Sequence, residues 1–335
     1  MRLKNLAATS VAAMMLAGAL VTTAPAAADE INFGIISTES TQNLREQWEP
    51  FLAAMEEQTG HKVNPFFASD YAGVIEGMRF KKVDVAWYGN KSAMEAIDRA
   101  DGEIFAQTVD VTGNPGYWSL LLVPADSPID SLDDVLACNK SLDFGIGDPN
   151  STSGFLVPTT FIFAANGINP KDCFKTVRSA NHETNAMAVA NKQVDVATNN
   201  TENMAKIKEN NPEAYAKIKE IWRSPLIPSD PIVWRKDLDA ELKADIYHFI
   251  MTYGRNGSPE EIAEARKILA ALQWAPFVPS SNAQLYPIRQ MELNKEMMKV
   301  EADERLSAEE KKQRMTEIEA DLAAVEQQEA ALPRK

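Results

Sequence analysis

The residues with the clearest capacity for chemistry lie in one short run, Gly147 to Phe155 (GDPNSTSGF). Asp148-Pro149-Asn150 predicts a turn, and Ser151-Thr152-Ser153-Gly154 predicts the start of a helix. The first backbone N–H groups of a helix have no intrahelical acceptor and lie at the positive end of its dipole, so an anion is favoured there. Three adjacent hydroxyls add donors that can be matched to the three oxygens of an oxyanion. A single hydroxyl would suffice for ordinary N-capping, and three in a row point to anion binding. The competing chemistry is catalytic, with Ser151, His182 and Glu202 as nucleophile, base and orienting acid. No G-x-S-x-G elbow supports it, and adjacent hydroxyls suit coordination better than a single activated nucleophile. His61, His182, His248, Cys138 and Cys173 are too scattered for metal ligation, and no cofactor is expected.

The elements around this run alternate. INFGII reads as a buried strand, followed by a helix with an apolar stripe (Leu44, Trp48, Phe51, Leu52, Met55) that Gly60 ends. HKVNPFF reads as a strand, AGVIEGMRF as a short helix, VDVAWYG as a strand and SAMEAIDRA as a helix. Strands alternating with helices indicate parallel βαβ units. YWSLLLV (117–123) predicts a strand crossing into a second lobe, where Ser131 and Asp134 form a capping box. LDFGIG is then a strand, 153–166 a helix, HETNAMAVAN a helix, VDVAT a strand and TENMAKIKEN a helix. The repeat of KKVDVAWYGN (81–90) in KQVDVATNNT (192–201) suggests two related lobes. The expected division is lobe I from 29–121 plus 224–287 and lobe II from 122–223, with hinges near 120–125 and 222–230. Residues 288–335 form a charged helical C-terminal tail. It is expected to pack on the protein's own surface, a homodimer contact being the alternative.

Cys138 and Cys173 each precede a predicted strand, so adjacent strands could join them in a disulfide suited to an oxidising compartment. The N-terminus fits such a compartment. Arg2 and Lys4 are followed by an apolar run at 8–21 and by Ala26-Ala27-Ala28, the three parts of a cleavable signal peptide spanning residues 1–28, with cleavage after Ala28. The net charge of −14 repels nucleic acid and anionic membranes. An anion site in this chain must therefore overcome an unfavourable overall field through local geometry.

The segments ISTESTQNLREQWEPF, FASDYAGVIEGMRFKKVDVAWYGN, GYWSLL, GDPNSTSGFLVP, NHETNAMAVANKQVDVATNNTEN and SPLIPSDPIVWRKDL resemble the phosphonate-binding proteins of the PhnD type. The resemblance runs from Ile31 to about Gln290. It implies an α/β, two-lobe periplasmic binding protein of type II-like architecture, with a helical C-terminal extension, that serves an ABC importer. Carried onto this sequence, it implies that Tyr71, Tyr117, Ser151, Thr152, Ser153 and His182 donate to the phosphonate, and that Glu202 and Asp230 accept from a ligand ammonium group. The ligand so implied is 2-aminoethylphosphonate and the protein partner a permease in the inner membrane. Phosphite, phosphate and methylphosphonate are the alternative ligands, and the lobes are expected to close over whichever binds.

Overall fold

In the computed structural model, residues 29–332 are described; the expected signal peptide lies outside them. The strands are β1 (Glu30–Ile35), β2 (Lys62–Phe67), β3 (Val85–Trp87), β4 (Gly102–Asp110), β5 (Gly116–Tyr117), β6 (Ser119–Pro124), β7 (Asp143–Ile146), β8 (Thr176–Ser179), β9 (Val196–Asn200), β10 (Ile218–Arg223), β11 (Ile227–Pro228), β12 (Pro231–Arg235) and β13 (Trp274–Pro279).

The first helix shows how local sequence sets these elements. Ser40 caps it by accepting from Asn43 N–H, and its stripe of Leu44, Trp48, Phe51, Leu52 and Met55 is buried. Gly60, at φ 73°, turns left-handed and ends it. That stripe covers one face of the first sheet, where Ile31, Phe33 and Ile35 of β1 are fully buried. Burial on both faces gives the near-continuous apolar runs typical of parallel strands.

Two sheets result. The first has the order β13-β4-β12-β3-β1-β2 and the second β10-β6-β9-β7-β8. In the first, β1 pairs in parallel with both β2 and β3, and β12 runs antiparallel to β3. In the second, β7 pairs in parallel with both β8 and β9, and β6 runs antiparallel to β9. The lobes thus repeat one topology, and the VDVA echo marks equivalent positions in it. Asp84 donates its N–H to Asn32 C=O and accepts Asn32 N–H on its carboxylate at 2.9 Å. Asp195 does the same with Asp143, its carboxylate accepting Asp143 N–H at 2.7 Å.

The chain passes between the sheets twice, at 117–119 and 224–227. The first passage lies earlier than the sequence suggests, because Ser119–Leu122 already ladder with β9. The passages are tied together by the short antiparallel pair β5–β11, in which Gly116 faces Pro228. A Cβ on Gly116 would lie 1.9 Å from the Ile227 carbonyl oxygen, so only glycine allows that approach.

Parallel pairing of β7 and β8 brings the segments before them together, and Cys138 and Cys173 form a disulfide with Cα atoms 4.0 Å apart. The tail forms helices Tyr286–Ala302 and Ala308–Ala330. The first buries Ile288 and Val300, and its Met291 packs on Tyr117, Val157 and Ile227 at the crossing. The second has no buried side chain; its half-buried residues include Met315, Ile318, Leu322 and Val325, a stripe at helical spacing. Among the described residues no helix is long and apolar enough to cross a membrane.

Candidate functional site

In each lobe three helices start just beyond the carboxyl ends of the parallel strands, where open α/β sheets place ligands. Lobe I supplies the starts of Thr41–Thr59, Tyr71–Arg79 and Asn90–Ala100. Lobe II supplies those of the helix that opens at Thr152, of His182–Ala190 and of Thr201–Asn210. All six contribute to the lining of one interlobe cleft, through Glu39, Tyr71, Gly89, Ser151 to Ser153, His182 and Glu202. Six positive dipole ends facing one space provide the local field that the net charge of −14 works against.

The loop before Thr152 is held by contacts that its sequence anticipates. Ser151 N–H donates to Asp148 C=O at 2.8 Å and Asn150 N–H to the Asp148 carboxylate at 2.7 Å. Gly147 N–H donates to Gly154 C=O, and a Cβ on Gly147 would lie 2.5 Å from Gly154 Cα. The helix then opens in wide turns, with Leu156 N–H donating to Ser151 C=O and Val157 N–H to Thr152 C=O. Ser151, Thr152 and Ser153 are nearly fully buried on the cleft wall.

His182 begins its helix beside them. Its Nε2 lies 3.4 Å from Ser151 Oγ, 3.5 Å from Ser153 Oγ and 3.3 Å from Asn200 Nδ2. Burial lowers its pKa to about 4, so the ring is neutral near pH 7. Asn200 Nδ2 also donates to Ser153 Oγ at 3.1 Å. Tyr71 occupies the equivalent position in lobe I, as the first residue of its helix. Burial, with the Asp148 carboxylate beside it, raises the Tyr71 pKa, so the phenol keeps its proton.

The two acids lie in the same cleft. Tyr117 Oη donates to Asp230 Oδ1 at 2.8 Å, so the hydroxyl proton serves Asp230 in this conformation. Burial and the neighbouring charge of Glu202 raise the Asp230 pKa well above the ordinary aspartate value. Burial likewise pushes Glu202 up to about 7, against the opposing effect of Lys206.

All eight residues singled out in the sequence therefore line one cleft. The structure adds others. Trp48, Trp87 and Trp274 form a mutual cluster with ring centroids 5.3 to 5.6 Å apart, and all three line the cleft. Lys206 Nζ crosses between lobes to donate to Glu39 Oε1 and Gln47 Oε1, each at 2.8 Å. Four buried polar atoms without a hydrogen-bond partner belong to lining residues: Thr38 Oγ1, Trp48 Nε1, His182 Nδ1 and Asn203 Oδ1. Buried orphans are uncommon in native proteins and ask for a polar ligand or water. Among the described residues no cluster of His, Cys, Asp or Glu could hold a metal ion.

Two lobes of repeated topology, a double crossing and a cleft at the strand ends define a type II periplasmic binding protein, a class that captures solutes. A family model described as the periplasmic substrate-binding protein of phosphonate ABC transporters matches residues 33–285, and the chain belongs to that family. It is 59% identical over 302 residues to a phosphonates-binding periplasmic protein of Escherichia coli, covering 89% of this chain and 87% of that one. A crystal structure of an ABC phosphonate transporter binding component from Pseudomonas aeruginosa is 55% identical. It superposes with a TM-score of 0.87, over 91% of this chain and 99% of that one. A methylphosphonate complex from Prochlorococcus marinus, 21% identical with a TM-score of 0.69, covers 80% of this chain and 99% of that one and shares the fold. The protein is a phosphonate-binding component of an ABC transporter rather than an enzyme.

Proposed function

We propose that the captured ligand is 2-aminoethylphosphonate, and that the protein, exported by residues 1–28 and cleaved after Ala28, delivers it to the inner-membrane permease. The observation that carries this reading is that Glu202 and Asp230 share one cleft with the hydroxyl and imidazole groups. In this reading Ser151, Thr152, Ser153, Tyr71 and His182 donate to the phosphonate oxygens, and Tyr117 stands between the two ends. Two neighbouring buried acids are costly as charges, and burial raises the pKa of both. A ligand ammonium group offsets that cost with charge-assisted hydrogen bonds. Three indoles line the same cleft and exclude water from it, which strengthens such hydrogen bonds. A ligand lacking the amine leaves both acids uncompensated, which is discrimination by omission.

The lobes close about the β5–β11 crossing, a passage at 117–119 and 224–227 being the proposed boundary between them. The tail we assign to the chain's own surface. The apolar stripe of helix 308–330 is half-buried alongside helix 286–302, and a second copy would meet a charged face. Calorimetric titration of Glu202→Ala checks the amine assignment. The variant loses about tenfold or more in affinity for 2-aminoethylphosphonate, the value of one charged hydrogen bond, and little for methylphosphonate. Equal losses for both ligands contradict the assignment.

A further inference from the structure

Three side chains of lobe II reach across the cleft to backbone N–H groups of lobe I. Glu183 Oε2 accepts from Ser40 N–H at 2.8 Å, and its other oxygen accepts from the Asn43 side-chain amide. Asp148 Oδ2 accepts from Tyr71 N–H at 3.2 Å, and Thr152 Oγ1 from Lys91 N–H at 2.8 Å. Each backbone donor belongs to the start of one of the three lobe I helices that face the cleft. The direction is uniform: in all three contacts the acceptor is a lobe II side chain and the donor a lobe I helix start.

The third contact explains an oddity of sequence. Helix Asn90–Ala100 has Gly89 at its N-cap and no side-chain cap of its own. Lys91 is its second residue, where a capping side chain ordinarily accepts. Thr152 of the opposite lobe fills that role. The two carboxylates are placed with similar economy. Asp148 precedes the helix that opens at Thr152, and Glu183 is the second residue of its own helix. Each therefore lies between two positive helix ends.

We propose that Glu183, Asp148 and Thr152 form a latch that caps lobe I helices in trans and sets how far the open–closed equilibrium favours the closed lobes. The proposal rests on the reading that the lobes close over an anion, and it adds groups that act through closure. The three bonds exist only when the lobes meet; on opening, the N–H groups return to water. Apparent affinity scales with the fraction of protein competent to bind, so each bond that favours closure tightens binding without touching ligand. Glu183 is the informative member because it does not line the ligand cavity. Asp148 also holds the Asn150 turn, and Thr152 belongs to the anion site itself.

Glu183→Ala and the conservative Glu183→Gln test the latch, using the full mature chain with spin labels placed one in each lobe. Removing the carboxylate raises the dissociation rate of 2-aminoethylphosphonate about tenfold, the weight of one charged cap, while association changes little. The interlobe distance distribution shifts toward open, in the ligand-free protein as well, and the ligand-free Tm stays at the wild-type value. Glu183→Gln keeps an acceptor for Ser40 N–H and recovers most of the loss. An unchanged dissociation rate and distance distribution in Glu183→Ala overturns the latch, and so does a loss accompanied by an equal fall in ligand-free Tm. If the wild type itself does not bind 2-aminoethylphosphonate, the ligand assignment fails. The latch is then decided by the ligand-free distance distribution, which must still shift.

Discussion

The two lobes share a topology down to the aspartate that clips β3 to β1 and β9 to β7, yet they furnish the cleft with different chemistry. Lobe II presents small hydroxyls and an imidazole at its helix starts, with Glu202 beyond them. Lobe I presents Tyr71, Asp230 and an indole wall, and gives its backbone N–H groups to lobe II side chains. Their interiors differ too. Lobe I has one large cluster built on Trp48, Phe51 and Phe249, whereas the apolar residues of lobe II fall into two smaller clusters, one carrying the disulfide. One topology, used twice, differs between the lobes at the cleft and in the interior.

Ligand binding offers the sharpest break in this comparison. Ser151→Ala with Ser153→Ala in lobe II weakens every phosphonate by about 100-fold, since each lost hydroxyl is worth a charged hydrogen bond. Asp230→Asn in lobe I keeps an acceptor for Tyr117 and weakens only the aminated ligand. Titration of both variants with 2-aminoethylphosphonate and methylphosphonate reads the contrast directly.

Stability gives a difference of similar size, confined to one lobe. Replacing Cys138 and Cys173 by alanine releases a loop of 35 residues in lobe II and costs about 2–4 kcal/mol. Hydrogen exchange should then quicken in β6 to β10 and remain unchanged in β1 to β4. Equal quickening in both lobes would mean that they unfold as one unit.

A third contrast is in pH dependence. Glu202 binds its proton up to about pH 7 in the folded protein, against an ordinary value of 4.5. The folded state therefore holds more proton than the unfolded state between those values, and stability is lost as pH rises from 4.5 through 7. Glu202→Gln removes that loss. Without ligand, its Tm exceeds the wild type's above pH 7, by roughly 3 °C for each kcal/mol recovered, and the two converge below pH 4.5. His182 acts oppositely in both proteins, withdrawing stability as pH falls from 6.5 toward 4, so it leaves their difference untouched.

Much of this arrangement is legible in sequence because it is local. The Trp48 helix with its apolar stripe and Gly60 stop, the alternation of strand and helix, the VDVA echo and the hydroxyl run at 151–153 are all written within a few residues of where they act. The assignment of Tyr71, Tyr117, His182, Glu202 and Asp230 came from a resemblance, since each alone reads as a core aromatic, a cap or a turn residue. What stayed hidden depends on chain folding at long range. Trp48, Trp87 and Trp274 look like ordinary core residues until three elements bring their rings together. Lys206 and Glu39 look like surface charges until the lobes meet and bury the pair. Gly89 looks like a weak helix start until Thr152 is found capping it from the other lobe. The wide turns after Thr152 likewise leave no composition signal.

Calorimetric titration of the mature wild-type protein with 2-aminoethylphosphonate, methylphosphonate, phosphite and phosphate tests the central claim most directly. The division between a donor end and a two-acid end predicts that the aminated phosphonate binds tightest, by about 100-fold over methylphosphonate if both acids engage the ammonium group. Tighter binding of phosphite, phosphate or methylphosphonate than of 2-aminoethylphosphonate would contradict it.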